Sequence, residues 1–308
     1  MISHLMAGVI CATLTPLDDN GEPCIELLVD HCKRLLHAGC SGIVLLGTTG
    51  EANSFTVEER KVILEAVISG GVAAERLIVG TGCCAVGDCV SLTRHALSHG
   101  SSRVLVLPPF YYKSVSDAGV VESYARTIEA IDDDRLRLYF YNIPQMSGVE
   151  IRAAAIELLV ARYPGIIAGI KDSAGKWPST EELCSRFGGV LDVLVGSETF
   201  LSSGIAAGAS GCVSATANAF AASISELYAK AGEPGAAAIQ HRVSAARAIF
   251  EQYPVIAALK EFEARRSGDG RWRNLRPPLT TLTDSDADAL WSKLVSFESQ
   301  RGTSDSLH

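Results

Sequence analysis

Eight short apolar runs recur along the chain, at residues 9–14, 42–46, 77–80, 103–107, 136–141, 166–170, 191–195 and 211–213. Each is apolar almost throughout instead of alternating with polar residues. Such a strand is covered on both faces, which points to a parallel sheet wrapped by helices. Between the runs lie stretches with apolar residues at helical spacing: 25–38, 57–69, 86–99, 117–131, 153–162, 180–187 and 200–207. An eighth helix is expected from about Asn218. Eight strands, each followed by a helix, is the count of a (β/α)8 barrel. After it the pattern is helical only, at 235–250, 255–266 and 284–299, with Pro277-Pro278 separating the last two. The reading is a TIM barrel over residues 1–225, a small C-terminal helical appendage over 226–300, and a polar tail at 301–308. A doubly wound open sheet predicts a glycine-rich dinucleotide loop after the first strand, where this chain has Thr15-Pro16-Leu17.

Composition narrows the function classes. The chain has 308 residues, of which 47% are hydrophobic and 20% charged, ample for a large core. Its net charge of −8 argues against nucleic acid, which requires a basic face. The first sixteen residues lack the basic and apolar regions of a signal peptide. Residues 199–225 carry no charge, but three glycines, an asparagine and several serines fit two buried elements better than a membrane span. Nine dispersed cysteines suggest reduced thiols and a cytoplasmic protein. Cys83, Cys84 and Cys89 form no CxxC and have no histidine close in sequence, so no metal site is expected from them.

Barrel enzymes place their chemistry where strands end, so reactive residues at those points carry the most information. Lys171 terminates the apolar run at 166–170. A lysine in an apolar barrel mouth loses hydration, which disfavours its charged form, and a neutral amine can attack a ketone to give a Schiff base. Taken alone, it reads better as a lysine extending its head to water. Tyr141 ends the preceding strand, and adjacent strand ends lie about 5 Å apart, so its phenol can reach a group attached to Lys171. Gly47-Thr48-Thr49-Gly50-Glu51 follows the second strand. Its glycines allow close backbone approach, and N–H groups leading into a helix favour an anion of carboxylate size. Pro108-Pro109-Phe110-Tyr111-Tyr112-Lys113, after the fourth strand, sets aromatics in a loop with no core of its own, which suits a subunit contact or a substrate channel.

Together these four elements resemble the dihydrodipicolinate synthase / N-acetylneuraminate lyase family of class I aldolases. The resemblance runs from Thr13-Leu14-Thr15-Pro16 to Arg276-Pro277-Pro278-Leu279 and is most specific in GTTGE at 47–51, YNIP at 141–144 and GIKD at 169–172. It implies Lys171 as the Schiff-base lysine, Tyr141 as the acid/base residue, and Thr48 and Tyr111 as proton-relay hydroxyls. In that family the relay tyrosine is contributed across a dimer interface, with Tyr112 the alternative in this loop. The resemblance further implies substrate contacts at Thr49, Val213, Ser173, Gly196 and Glu198. Neither a metal nor an organic cofactor is implied. The partners are a 2-oxo acid such as pyruvate and an aldehyde, and the assembly is a homodimer or homotetramer.

The family's synthases carry an arginine shortly after the YN-x-P motif, where it grips the carboxylate of the aldehyde. Here that position is Met146, which cannot pair with a carboxylate. The expectation is therefore a pyruvate-type aldolase or lyase with a less charged acceptor side. Dihydrodipicolinate synthase is the second reading and an imine-forming dehydratase the third. A non-catalytic 2-oxo acid sensor would have no use for the hydroxyl relay.

Overall fold

The structure is a computed structural model and describes residues 6–299; the expected tail at 301–308 lies outside the described residues. Eight parallel strands, β1 (Gly8–Ala12), β2 (Gly42–Leu45), β3 (Leu77–Gly80), β4 (Arg103–Val106), β5 (Arg137–Asn142), β6 (Ile167–Asp172), β7 (Asp192–Val195) and β8 (Gly211–Ser214), close into a barrel in chain order. β1 pairs with β8, so the sheet has no free edge. Around it lie α1 (Ile25–His37), α2 (Val57–Ser69), α3 (Val86–Ser98), α4 (Asp117–Ile131), α5 (Pro144–Ser147), α6 (Ala153–Arg162), α7 (Trp177–Phe187), α8 (Leu201–Ala207) and α9 (Ala217–Ala229). The charge-free stretch at 199–225 folds into α8, β8 and most of α9, and no helix among the described residues is long and apolar enough to cross a membrane.

The (β/α)8 barrel expected from the apolar runs is the architecture found. Strand alternation builds two apolar layers. Ile10, Val44, Ile78, Leu105, Tyr139, Leu194 and Val213 fill the barrel interior, while Cys11, Ile43, Leu45, Val104, Phe140 and Val193 pack outward against the helices. At the lower end of the interior, the Tyr139 hydroxyl and the Met6 backbone N–H both donate to Asp192 Oδ2, at 2.6 and 2.8 Å.

Three helices follow the barrel: α10 (Ala236–Phe250), α11 (Val255–Ser267) and α12 (Asp284–Ser299). Phe250 and Phe262 stack edge-on at 6.0 Å, and both meet Phe220 of α9, so these helices share an aromatic core with the barrel wall. α11 is buried along most of its length, Lys260, Glu261 and Glu263 included. A helix covered on nearly every side needs partners for each buried charge, and these partners reach the site described next.

Candidate active site

Tyr141 and Lys171 are register partners across β5 and β6. A bulge at Leu138/Tyr139 resets the pairing there. It places Gly169 beside Tyr139, where a Cβ would lie 2.6 Å from the ring, so only glycine fits. Gly169 and Lys171 then face the barrel interior, while Ile170 packs outward. Lys171 is buried, and its Nζ lies 4.0 Å from the centroid of the Tyr141 ring. The Tyr141 hydroxyl hydrogen-bonds Thr48 Oγ1 at 3.1 Å.

Thr48 arrives by a backbone kink. Leu46, the residue after β2, has φ 58°, a left-handed conformation that costs a branched residue about 1–3 kcal/mol. Gly80 of β3 makes room for it, because a Cβ there would collide with the Leu46 carbonyl oxygen. The kink turns Gly47-Thr48-Thr49 into the barrel mouth. Among the described residues the N–H groups of Thr48 and Thr49 find no protein acceptor, and both residues line the cavity. Two unused N–H groups beside a buried amine have the chemistry to accept a carboxylate.

The cavity above these groups has a volume of about 690 Å3. Ala12, Thr48, Thr49, Tyr141, Lys171 and Val213 line its floor. Ser173 and Gly196 are on its wall, where Gly196 is obligatory because a Cβ would sit 2.5 Å from the Asp172 carbonyl oxygen and collide with Ser173 Oγ. The upper walls come from Ile143 and Met146 on one side, Phe200 above α8, and Val255, Ile256, Leu275 and Leu279 of the C-terminal region.

Two expected residues lie off this chain's cavity wall. Glu198 does not line the cavity. Its buried carboxylate accepts from Ser214 Oγ at 2.7 Å, from Arg247 Nη1 at 3.0 Å and from Thr216 Oγ1. It ties the end of β8 to α10, so both of its oxygens are engaged away from any substrate. Tyr111 is 74% exposed, stacks edge-on against Tyr112 at 5.2 Å, and is also absent from the cavity wall. A role in the relay would require it to act on a second copy of the chain.

Two positioning groups escaped the sequence reading. Asn142 and Asp172, which follow Tyr141 and Lys171, point to the outer face of the same strands. Asn142 Nδ2 donates to Asp172 Oδ1 at 2.8 Å, and Thr180 Oγ1 of α7 donates to Asp172 Oδ2 at 2.6 Å. This clasp fixes the two strand ends and hence the separation of amine and phenol. The signal was present in the YN and KD pairs, since alternation sends the second residue of each pair to the opposite face. Asn142→Ala is expected to lower kcat about 10- to 100-fold by loosening that separation, and stability by about 1–3 kcal/mol by leaving Asp172 short of a donor. Steady-state kinetics and urea unfolding of the variant measure the two effects.

The second group is a buried ion pair between Glu51, which ends the GTTGE segment, and Lys260 of α11. Glu51 also accepts from the Arg276 backbone N–H at 3.1 Å, and Lys260 donates to the Asn274 carbonyl at 2.6 Å. The C-terminal helices are thereby anchored to the loop that carries Thr48 and Thr49.

Comparison with known proteins agrees with this arrangement. The family model described as the dihydrodipicolinate synthetase family matches residues 5–296. An uncharacterized DapA-like lyase of Chloroflexus aurantiacus is 33% identical over 92% of this chain and 94% of its own length. A 4-hydroxy-tetrahydrodipicolinate synthase of Agrobacterium fabrum is 31% identical over 92% and 97%. The crystal structure of dihydrodipicolinate synthase from Agrobacterium tumefaciens superposes with a TM-score of 0.88 at 29% identity, covering 94% of this chain and 99% of that one. With a lysine, a tyrosine and a threonine converging at the mouth of such a barrel, the chain belongs to the dihydrodipicolinate synthetase family and is a lyase.

Proposed function

We propose that the protein is a Schiff-base aldolase that makes or cleaves a carbon–carbon bond between pyruvate and an aldehyde. The observation that carries this reading is the buried Lys171 amine 4.0 Å from the Tyr141 ring, with the Tyr141 hydroxyl bonded to Thr48, beneath a cavity that can hold the substrate. In the cleavage direction the carboxylate of a 4-hydroxy-2-oxo acid accepts from the Thr48 and Thr49 N–H groups. This brings its C2 carbonyl to Lys171. The neutral amine adds to C2, the former carbonyl oxygen takes a proton through Tyr141, and water departs to leave a protonated imine. Tyr141 then removes the 4-hydroxyl proton. The C3–C4 bond breaks, its electron pair moves toward the imine nitrogen, and the aldehyde leaves. The enamine is protonated at C3, and water hydrolyses the imine to release pyruvate and restore the amine. The Thr48 hydroxyl keeps the phenol aimed at these positions and shares its proton. Tyr111 enters this scheme only through assembly into a dimer or tetramer.

The acceptor side favours an aldehyde without a second carboxylate. Met146, Phe200, Val255, Ile256, Leu275 and Leu279 give it apolar walls. Among the described residues the one cation on the cavity wall above Lys171, Arg247, is held between Glu198 at 3.0 Å and Glu251 at 2.7 Å. That triad carries a formal charge of −1, which repels another anion. The synthase reading, supported by the name of the Agrobacterium relative, needs a cation there.

Two measurements test the proposal. Borohydride added with pyruvate should leave one reduced adduct per chain, on the peptide containing Lys171; an unlabelled protein, or a label elsewhere, defeats the mechanism. A panel of aldehydes should favour apolar acceptors over aspartate semialdehyde, and Met146→Arg should narrow that preference about 10- to 100-fold, the value of one charge-assisted bond. Efficient turnover of aspartate semialdehyde by the unaltered protein would instead establish the synthase.

A further inference from the structure

Two histidines one helical turn apart, His95 and His99, meet Glu65 where the C-terminal ends of α2 and α3 lie side by side. One ligand atom from each of the three residues falls within 4.8 Å of the others. The site is remote from Lys171. The helices run opposite to the strands, so these helix ends surround the bottom of the barrel, and His99 leads directly toward the start of β4.

A hydrogen bond places the ring proton of His99. His99 Nδ1 faces the His95 carbonyl oxygen at 2.9 Å. A carbonyl only accepts, so Nδ1 carries the proton and Nε2 keeps its lone pair. The buried His95 Nε2 makes no directed hydrogen bond and lies 3.2 Å from Glu65 Oε1. Two imidazole rings and a carboxylate oxygen therefore converge on one point. The nearest cation, Lys61, is paired with Glu58 at 2.7 Å. With the His95 proton on Nδ1, the three groups present three lone pairs to one point, which a cation between them satisfies.

We propose that Glu65, His95 and His99 bind a divalent transition-metal ion of the zinc type, which clips α2 to α3 at the bottom of the barrel. Two imidazoles and one carboxylate suit zinc, and metal–ligand bonds of about 2.0–2.2 Å in a tetrahedron separate ligand atoms by about 3.3 Å. The His95–Glu65 separation already matches. His99 reaches the same point by rotating its side chain, and water takes the fourth position. His99 holds its distal N–H on a backbone carbonyl, the outer-shell bond that orients a metal-bound imidazole. The spacing of the histidines was visible in the sequence, but their partner Glu65 lies on a different helix.

Zinc chloride, titrated into the chelator-treated full chain against a chromophoric competitor, tests the site. One equivalent should bind, the thermal midpoint should rise on binding, and aldolase activity should not change. His99→Gln and Glu65→Gln should each weaken binding at least about 10-fold. Cobalt(II) should give a tetrahedral spectrum without a thiolate charge-transfer band, which separates these ligands from the free cysteines. Absence of binding at about 100 μM zinc, undiminished binding in a His95→Gln/His99→Gln double variant, or a thiolate band would each overturn the proposal.

Discussion

Lys171→Ala is expected to abolish turnover, by on the order of 10^4-fold or more, and to abolish borohydride labelling with pyruvate. In the proposed mechanism the reaction proceeds through the nitrogen of this side chain, and the described lining of the cavity offers no second amine: the remaining cation there, Arg247, is a guanidinium engaged by two carboxylates. The fold should survive the change. Lys171 sits within β6, where its backbone remains paired with Tyr141 and Leu194, and its side chain ends in an open cavity that water can fill. A far-UV circular dichroism spectrum matching that of the unaltered protein, together with retained Asn142–Asp172 geometry in a crystal structure, would locate the loss in the chemistry. Residual labelling at undiminished yield would show that another nucleophile forms the imine, and the roles given to Tyr141 and Thr48 would fall with it. Tyr141→Phe is the informative companion. It keeps the ring over Lys171 and removes only the hydroxyl, so pyruvate should still bind while each proton-transfer step slows.

The barrel was legible because parallel strands buried on both faces leave unbroken apolar runs, and because a lysine or tyrosine ending such a run is conspicuous. Lys171 and Tyr141 were found in that way, and the structure places them as neighbours. α5 was not legible: Pro144–Ser147 is one turn long, too short to show a helical period. The strand limits moved by a residue or two for a similar reason, since Asn142, Lys171 and Asp172 are polar yet still inside the ladder. Glu198 was implied as a substrate contact by the resemblance alone, whereas its partners Ser214, Thr216 and Arg247 come from β8, the segment after it and α10. Only the closed barrel brings those elements together. The same holds for Glu51 and Lys260, whose pairing no local spacing announces. A lysine directly after the apolar run Val255-Ile256-Ala257-Ala258-Leu259 was nevertheless a signal that something opposite must answer it.

That pair sets the largest expected effect on stability. Lys260 and Glu51 both have fully buried side chains, and burial lowers the Lys260 pKa while the Glu51 carboxylate opposes the shift. Lys260→Met removes the cation and leaves Glu51 buried with the Arg276 N–H as its remaining donor, which is expected to cost about 3–5 kcal/mol. The desolvation of Glu51, more than the attraction lost, accounts for that cost, so Glu51→Gln added to Lys260→Met should recover much of it. Urea unfolding of the two single variants and the double variant measures the coupling. Function should follow in a particular way. Glu51 ends the segment that presents Thr48 and Thr49, so a slackened anchor displaces the carboxylate receptor before it displaces Lys171. The double variant, refolded to near-native stability, should therefore raise KM for the 2-oxo acid more than it lowers kcat, and should still be labelled at Lys171. Additive losses in the three variants would mean that the two charges do not sense each other, and an unchanged KM would mean that the C-terminal helices close the barrel mouth without setting the geometry of its threonine loop.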